Sequence, residues 1–395
     1  MNEIELIELQ DLLGLPENPI HSKELRISNY QYDKLPEAIW SLTQLEELTL
    51  SDCPNLNQLP DFIGQLTQLT SLNLSHSRLT TLPESIGNLI KLTSLDLGGC
   101  FSLKALPDSI GNLTQLTSLG LSSCQSLKAL PKSVGNLKQL KSLDLRDYRS
   151  LALNKFIENL TQLTSLDLSF CSSLTTLHES IGNLTQLTYL NLSYCGFTSL
   201  PESIGNLTQL SSLDLTSCSS LTVLPKSIDN LTQLSHLALS DFNLIKFFGY
   251  SNKLTQLKSL KINSCHLSTT LPESIGNLTQ LISLSICDCH WLTVLPESIG
   301  NLTQLTSLDI RHCSTLTVLP ESIGNLTQLT SLDIGFCESL TNLPESIGNL
   351  TQLISLDLSG CKSLTVLPES MSNLTQLTNL DISDCESLDE SYYKR

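Results

Sequence analysis

Leu326-Thr327-Gln328-Leu329-Thr330-Ser331-Leu332-Asp333-Ile334-Gly335-Phe336-Cys337-Glu338-Ser339-Leu340-Thr341-Asn342-Leu343-Pro344-Glu345-Ser346-Ile347-Gly348-Asn349 is one period of a pattern that fills the chain. Its opening tetrapeptide, identical or nearly so, begins fifteen times at steps of 23 or 24 residues, from Leu42 to Leu374. A unit this short cannot bury its own apolar face, so each copy must stack on its neighbours and the array must form one elongated core. The chain therefore reads as a solenoid in a single domain, and its surface must carry its function.

Within the unit, Leu332 and Ile334 alternate with Ser331 and Asp333, the period-two pattern of a half-buried strand. Beyond Cys337 the chain must turn. Leu340, Leu343, Ile347 and Leu350 then offer apolar contacts at spacings of three or four, as a short helical or 3₁₀ return does. Pro344 suits the first turn of that return, Glu345 its positive end, and Gly348 a helix-ending position. The expected fold is an α/β solenoid with a curved parallel β-sheet on the concave face and short helical or 3₁₀ returns on the convex face.

Leu-x-x-Leu-x-Leu-x-x-Cys-x-x-Leu, followed by Leu-Pro-Glu-Ser-Ile-Gly-Asn-Leu, resembles the leucine-rich repeat, and the match spans about residues 22 to 388. The stretch Leu353-Ile354-Ser355-Leu356-Asp357-Leu358-Ser359-Gly360-Cys361-Lys362-Ser363-Leu364 is similar to repeats of plant intracellular disease-resistance receptors and of Ras-pathway scaffolds. Those receptors carry a nucleotide-binding module before their repeats, whereas here the array starts almost at once, so receptor signalling is not carried over. Residues 1–21 read as an N-terminal cap, with Ile4, Leu6, Ile7, Leu9, Leu12 and Leu13 gathered on one side of a short helix. Residues 22–388 form about 15 full repeats plus a degenerate first one built on Leu25-Arg26-Ile27 and Leu35 to Ile39; residues 389–395 are a C-terminal tail. No cap module follows Cys385, which leaves either a folded-back tail or an open edge, and hence a monomer or weak end-to-end association.

Lys and Arg total 22 against 39 Asp and Glu, a formal charge of −17. That sign opposes binding to a phosphate backbone, so nucleic acid is not an expected partner. No apolar run is long enough to span a membrane. The start Met1-Asn2-Glu3-Ile4-Glu5-Leu6-Ile7-Glu8 lacks the basic and apolar regions of a secretory signal, which predicts a cytoplasmic protein. The Asn-Leu-Thr triplets, such as those at Asn112 and Asn325, then arise from the repeat and not as glycosylation sites. Twelve of the thirteen cysteines, from Cys53 to Cys385, hold one column of the repeat, where Tyr148 and Phe242 also stand; only Cys287 falls outside it. Such a ladder predicts buried thiols meeting backbone carbonyls of the adjacent coil, in a reducing compartment.

Two units break the pattern. Leu151 to Asn159 loses the Leu-Pro signal, leaving Phe156 or Ile157 to fill the core. From Phe242 to Lys253 the return is replaced by aromatic and basic residues. This segment is either a repacked return, with Phe247 in place of leucine, or a partner-contact bulge displaying Phe242, Lys246, Phe248, Tyr250 and Lys253.

No phosphate-binding loop, nucleophile elbow or zinc-protease pair appears, and no cofactor or enzymatic activity is expected. The nearest approach to a metal set is Cys287, Cys289, His290, His266 and His312. If Cys289 faces the core ladder, Cys287 lies on the curved exit from the strand, and their thiols need not converge as zinc requires. The strand carboxylates Asp96, Asp144, Asp167, Asp214, Asp309, Asp333, Asp357 and Asp381 form an acidic file that either attracts a basic partner or merely repeats by duplication. The position just before the cysteine column varies most, carrying among others His76, Phe170, Tyr194, His312 and Phe336. It is read as unconstrained by the core. Phe170 and Tyr194, with Tyr189 nearby, are either an aromatic contact patch or scattered surface aromatics; with His312, Phe336, Asp144, Asp167, Asp214 and Asp333 they are the candidate partner-binding residues of the concave face.

The first functional reading is a non-enzymatic interaction module or scaffold binding a protein ligand, one with a basic surface, on its concave face. The others are a recognition subunit of a ubiquitin-ligase or phosphatase assembly with catalysis in trans, and a host-interaction or immune-type factor.

Overall fold

The structure is a computed structural model that describes residues 22–148, 155–221, 223–240, 254–264 and 269–389, with the backbone alone at 155 and 156. The proposed cap within residues 1–21 and the segment from Phe242 to Lys253 lie outside these described residues. The chain divides into two compact units, Met1–Cys195 and Gly196–Arg395.

In the first unit the strands are β1 (Glu24–Ser28), β2 (Glu47–Ser51), β3 (Ser71–Asn73), β4 (Ser94–Asp96), β5 (Ser118–Gly120), β6 (Ser142–Asp144), β7 (Ser165–Asp167) and β8 (Tyr189–Asn191). In the second they are β9 (Ser212–Leu215), β10 (His236–Ser240), β11 (Ser259–Asn263), β12 (Ser283–Cys287), β13 (Ser307–Asp309), β14 (Ser331–Asp333), β15 (Ser355–Asp357) and β16 (Asn379–Asp381). Within each unit consecutive strands pair in parallel and in register, so that like residues stack: Leu332 on Leu356 and Asp333 on Asp357, for example. The degenerate first repeat is present as β1 and the return Glu37–Ser41.

Each strand turns its leucine inward, and Leu332, Ile334, Cys337, Leu340, Ile347 and Leu350 are all essentially inaccessible to solvent. A leucine removed from water in this way stabilises the fold by about 1.5–3 kcal/mol, and one column of them runs along every coil. In the irregular unit, Ile157 of the return Lys155–Asn159 is buried at the place of Ile347.

The returns are five-residue 3₁₀ turns such as Glu345–Asn349. Pro344 stands just before this helix, with φ −70° and ψ 152°, and offers no side-chain cap. The orphan N–H groups at such a start are met from the preceding coil: Glu84, Glu202, Glu273, Glu297 and Glu345 accept from Ser109, Ser227, Ser298, Ser322 and Ser370 at 3.1 to 3.3 Å. Where His178 replaces proline, its Nδ1 accepts the Ser180 N–H at 3.1 Å instead. Gly348 does not end a helix. It lies inside Glu345–Asn349, and a Cβ there would come within 2.5 Å of the Ser370 carbonyl oxygen of the following coil. Close coil spacing, not left-handed backbone, is what excludes a side chain.

Side chains continue the ladder. Thr93 Oγ1 donates to the Thr70 carbonyl at 2.9 Å and Thr117 Oγ1 to that of Thr93 at 3.0 Å. The thiols behave as expected: Cys124 Sγ donates to the Leu97 carbonyl at 3.2 Å, Cys313 Sγ to that of Ile286 at 3.2 Å and Cys361 Sγ to that of Ile334 at 3.4 Å. Ser77, in the same column, donates to the Leu50 carbonyl at 3.2 Å. Tyr148 fills that place with a fully buried ring.

At the last described coil, all three residues of β16 are exposed, and no strand of the described residues pairs beyond it. Leu380 is 42% exposed where its counterpart Leu356 is 1% exposed. Among the described residues no helix is long and apolar enough to cross a membrane.

Candidate functional site

The residue that precedes the cysteine column is constrained after all, by the backbone. His76, Ser123, Asp147, Phe170 and Tyr194 in the first unit, and Ser217, Ser264, Asp288, His312, Phe336 and Asp384 in the second, all have φ between 51° and 60°. This left-handed turn lets each N–H reach the next coil: Phe170 donates to the Ser193 carbonyl at 2.8 Å and His312 to that of Gly335 at 2.9 Å. The turn favours Gly, Asn or Asp, and bulky residues held there cost of order 1–3 kcal/mol each. Phe170, Tyr194, His312 and Phe336 hold it nonetheless.

These four side chains form two stacks, one in each unit. The rings of Phe170 and Tyr194 lie 4.4 Å apart with planes at 7°. Those of His312 and Phe336 lie 4.8 Å apart at 12°, a pairing that sequence did not disclose. Phe170, Tyr194 and Phe336 are 51%, 47% and 43% exposed. Tyr189 begins β8, opposite Ser165, and is exposed.

The aspartate file has a structural duty. Oδ1 of Asp96, Asp167, Asp214, Asp357 and Asp381 accepts the backbone N–H two residues on, at 2.8 to 2.9 Å, closing the strand exit. Asn73 and Asn191 do the same. The file is also partly neutralised by two arginines that the sequence reading passed over. Arg146 closes on Asp144 (Nη2 to Oδ2 2.7 Å) and reaches toward Asp167 (3.9 Å). Arg311 closes on Asp309 (2.8 Å) and reaches Asp333 (3.2 Å). Burial opposes charge on Asp309, yet hydrogen bonds from Arg311 outweigh it and hold the carboxyl below its ordinary pKa. Asp333 is held above it, by burial and by Asp357 and Asp309 alongside. Hence Asp144, Asp167, Asp309 and Asp333 are not free attractors of a basic partner, whereas Asp214 keeps no cation among the described residues. The signal was in the sequence: Asp-x-Arg occurs where sister repeats place Ser, Thr or Gly after Asp-x.

Cys287 is not on a curved exit; it is the last residue of β12, pairs with Asn263, and shares the face of Ser283 and Ser285. Burial pushes its thiol up to about 11. Cys289 turns into the core, its Sγ against the Cys287 carbonyl at 3.5 Å. His266 lies outside the described residues, which contain no group of three or more His, Cys, Asp or Glu placed to hold a metal. The candidate contact residues Phe242, Lys246, Phe248, Tyr250 and Lys253 also lie outside them.

The sequence matches the family model described as "Leucine-rich repeat region" over residues 62–180, 165–287 and 247–339. Models described as "R13L1/DRL21 LRRs" and "Leucine Rich Repeat" match residues 12–77 and 352–374. No curated protein matched the sequence. Among solved structures, a leucine-rich repeat protein of Leptospira interrogans is 30% identical, with a TM-score of 0.72, covering 92% of this chain and 96% of that one. An internalin of Listeria monocytogenes is 23% identical, with a TM-score of 0.66, covering 82% and 92%. The functional domain of InlJ from Listeria monocytogenes, described as including a cysteine ladder, is 22% identical, with a TM-score of 0.60, covering 91% and 67%.

Proposed function

This chain belongs to the leucine-rich repeat family, and from that premise we propose that it is a non-enzymatic interaction module whose strand face takes a protein ligand. Leucine-rich repeats are a common scaffold for protein–protein interaction. The observation that carries the reading is the pair of exposed ring stacks held at positive φ. The ladder imposes the turn on the whole column; that exposed rings are kept there at a cost, with nothing in the core requiring them, supports a binding role. The net charge of −17 favours a partner with a basic surface.

Affinity capture with the full chain beside a Phe170→Ala/Tyr194→Ala/Phe336→Ala variant tests it. A partner held by wild type is expected to be lost by the variant; equal capture removes the strand face from the proposal. Turnover of any substrate by the isolated chain overturns the non-enzymatic part.

The compartment is proposed to be the reducing cytoplasm, because the thiols serve as hydrogen-bond donors to carbonyls. Glycans on Asn112 or Asn325 in protein isolated from its source would contradict that.

A further inference from the structure

Arg146 and Arg311 show how a guanidinium sits on this sheet. Each stands two residues after a strand aspartate, closes on it through Nε and Nη2, and leans toward the aspartate of the following coil. Two coils before Arg146 the same position is Gly98. Asp96 stands there as Asp144 does, and Gly120 replaces the aspartate that would follow. The side chains missing at Gly98 and Gly120 leave a polar depression of about 470 Å³, bordered by Asp96, Ser122, Asp144 and Arg146. Asp96 inclines over its floor, for a Cβ on Gly120 would lie 2.6 Å from Asp96 Oδ1. That oxygen accepts the Gly98 N–H at 2.8 Å. Among the described residues Asp96 has no ion-pair partner, unlike Asp144, Asp167, Asp309 and Asp333.

We propose that this depression receives one arginine side chain of the protein partner, its guanidinium placed against Asp96 as that of Arg146 is against Asp144. The assignment rests on the strand face being the protein-binding face and specifies the chemistry of one contact within it. Arginine is favoured over lysine because a planar fork matches a carboxylate through two parallel hydrogen bonds, the geometry this chain already uses twice. Phe101 also lines the depression, yet an apolar side chain over Asp96 is disfavoured, since the carboxylate would lose water with nothing in return. Local charge agrees: among the described residues Arg146 is engaged by Asp144 and Asp167, and no ion pair holds Asp96.

The experiment is a random peptide library displayed on phage and selected on the immobilised full chain, with binders then measured on two variants. Gly98→Arg recreates the Asp-Leu-Arg of Asp144 to Arg146 and fills the seat from within. Its new Cβ would meet Ser122 Oγ at 2.8 Å, the end of a side chain free to rotate away. Asp96→Asn keeps the hydrogen bond that closes the strand exit, as Asn73 and Asn191 already do. Selected peptides are expected to share an arginine. Affinity should fall about tenfold or more when that arginine becomes lysine, or when the chain carries either substitution, as befits the loss of a charge-assisted bidentate pair. Melting temperatures should stay at the wild-type value. A selection yielding no arginine-bearing binder, or binders indifferent to both variants, overturns the seat. If such binders still depend on Phe170 and Tyr194, the protein-binding reading survives and only the arginine seat fails.

Discussion

The rings of Phe170 and Tyr194 lie face to face, 4.4 Å between centroids, although each is carried by a residue with positive φ, 60° and 56°. Stacking returns part of what the left-handed turn costs. A double-mutant cycle with Phe170→Ala and Tyr194→Ala, read by urea denaturation, is expected to give a coupling energy of about 0.5–1.5 kcal/mol. Strict additivity would mean that the rings only happen to be adjacent.

The thiol ladder predicts a distinction between serine and alanine. Cys124→Ser keeps a donor for the Leu97 carbonyl, as Ser77 does for Leu50, and should change stability little; Cys124→Ala loses the bond and should cost about 0.5–1.5 kcal/mol. Equal effects in denaturant melts would show that the thiol acts only as filler.

The same thiols set the alkaline limit of stability. Burial raises Cys100 and Cys171 from 9.0 to about 11, and Cys124 and Cys361 to about 12. Between pH 9 and those values the unfolded chain has lost protons that the folded chain retains. The stabilisation is therefore complete below pH 9 and is lost as pH rises, at up to about 1.4 kcal/mol per pH unit for each thiol. Denaturation midpoints measured from pH 8 to 11 should fall, and fall less steeply in Cys124→Ser. A flat profile would contradict burial of the ladder.

Leu356 and Leu380 hold the same position in β15 and β16 but differ in exposure, 1% against 42%. Leu356→Ala should cost about 2–5 kcal/mol, and Leu380→Ala well under half as much. Hydrogen exchange should likewise find the amides of β16 less protected than those of β15. Equal costs would mean that something covers the last coil in solution.

Between adjacent returns, Ser346 Oγ is buried and has no hydrogen-bond partner among the described residues, while a Cβ on Gly324 would approach the Ser346 carbonyl oxygen to 2.5 Å. Ser346→Ala is therefore expected to be neutral or stabilising by up to about 1 kcal/mol, and Gly324→Ala destabilising by about 1–3 kcal/mol. Thermal melts of the two variants moving in the same direction would contradict this account of the glycine column.

Much of this was legible in the repeat because it depends on period alone. Leu332 and Ile334 could be assigned inward from alternation, Cys337 and its column to a ladder from fixed spacing, and the degenerate repeat at Leu25 from partial agreement with its neighbours. What escaped depended on a neighbouring coil. Gly348 looked like a helix end until Ser370 was seen against it. Arg146 and Arg311 stand out only where the turn after the strand carries each back over its own aspartate. Phe170 and His312 gave no sign of left-handed backbone, because that conformation is imposed by the ladder of N–H to carbonyl bonds and runs against the preference of the residue.

The sequence by itself determined the class of fold, the strand register and the core, since a 24-residue period of leucines has one economical way to leave water. Only the tertiary structure decided which surface residues act together. Asp96 and Asp144 are the same letter in the same column, yet one is closed by Arg146 and the other stands over a gap left by Gly120. The difference lies in the side chains at the strand exit and on the adjoining coil. Those contacts are set by a spacing of about 4.8 Å between strands, which no single repeat contains.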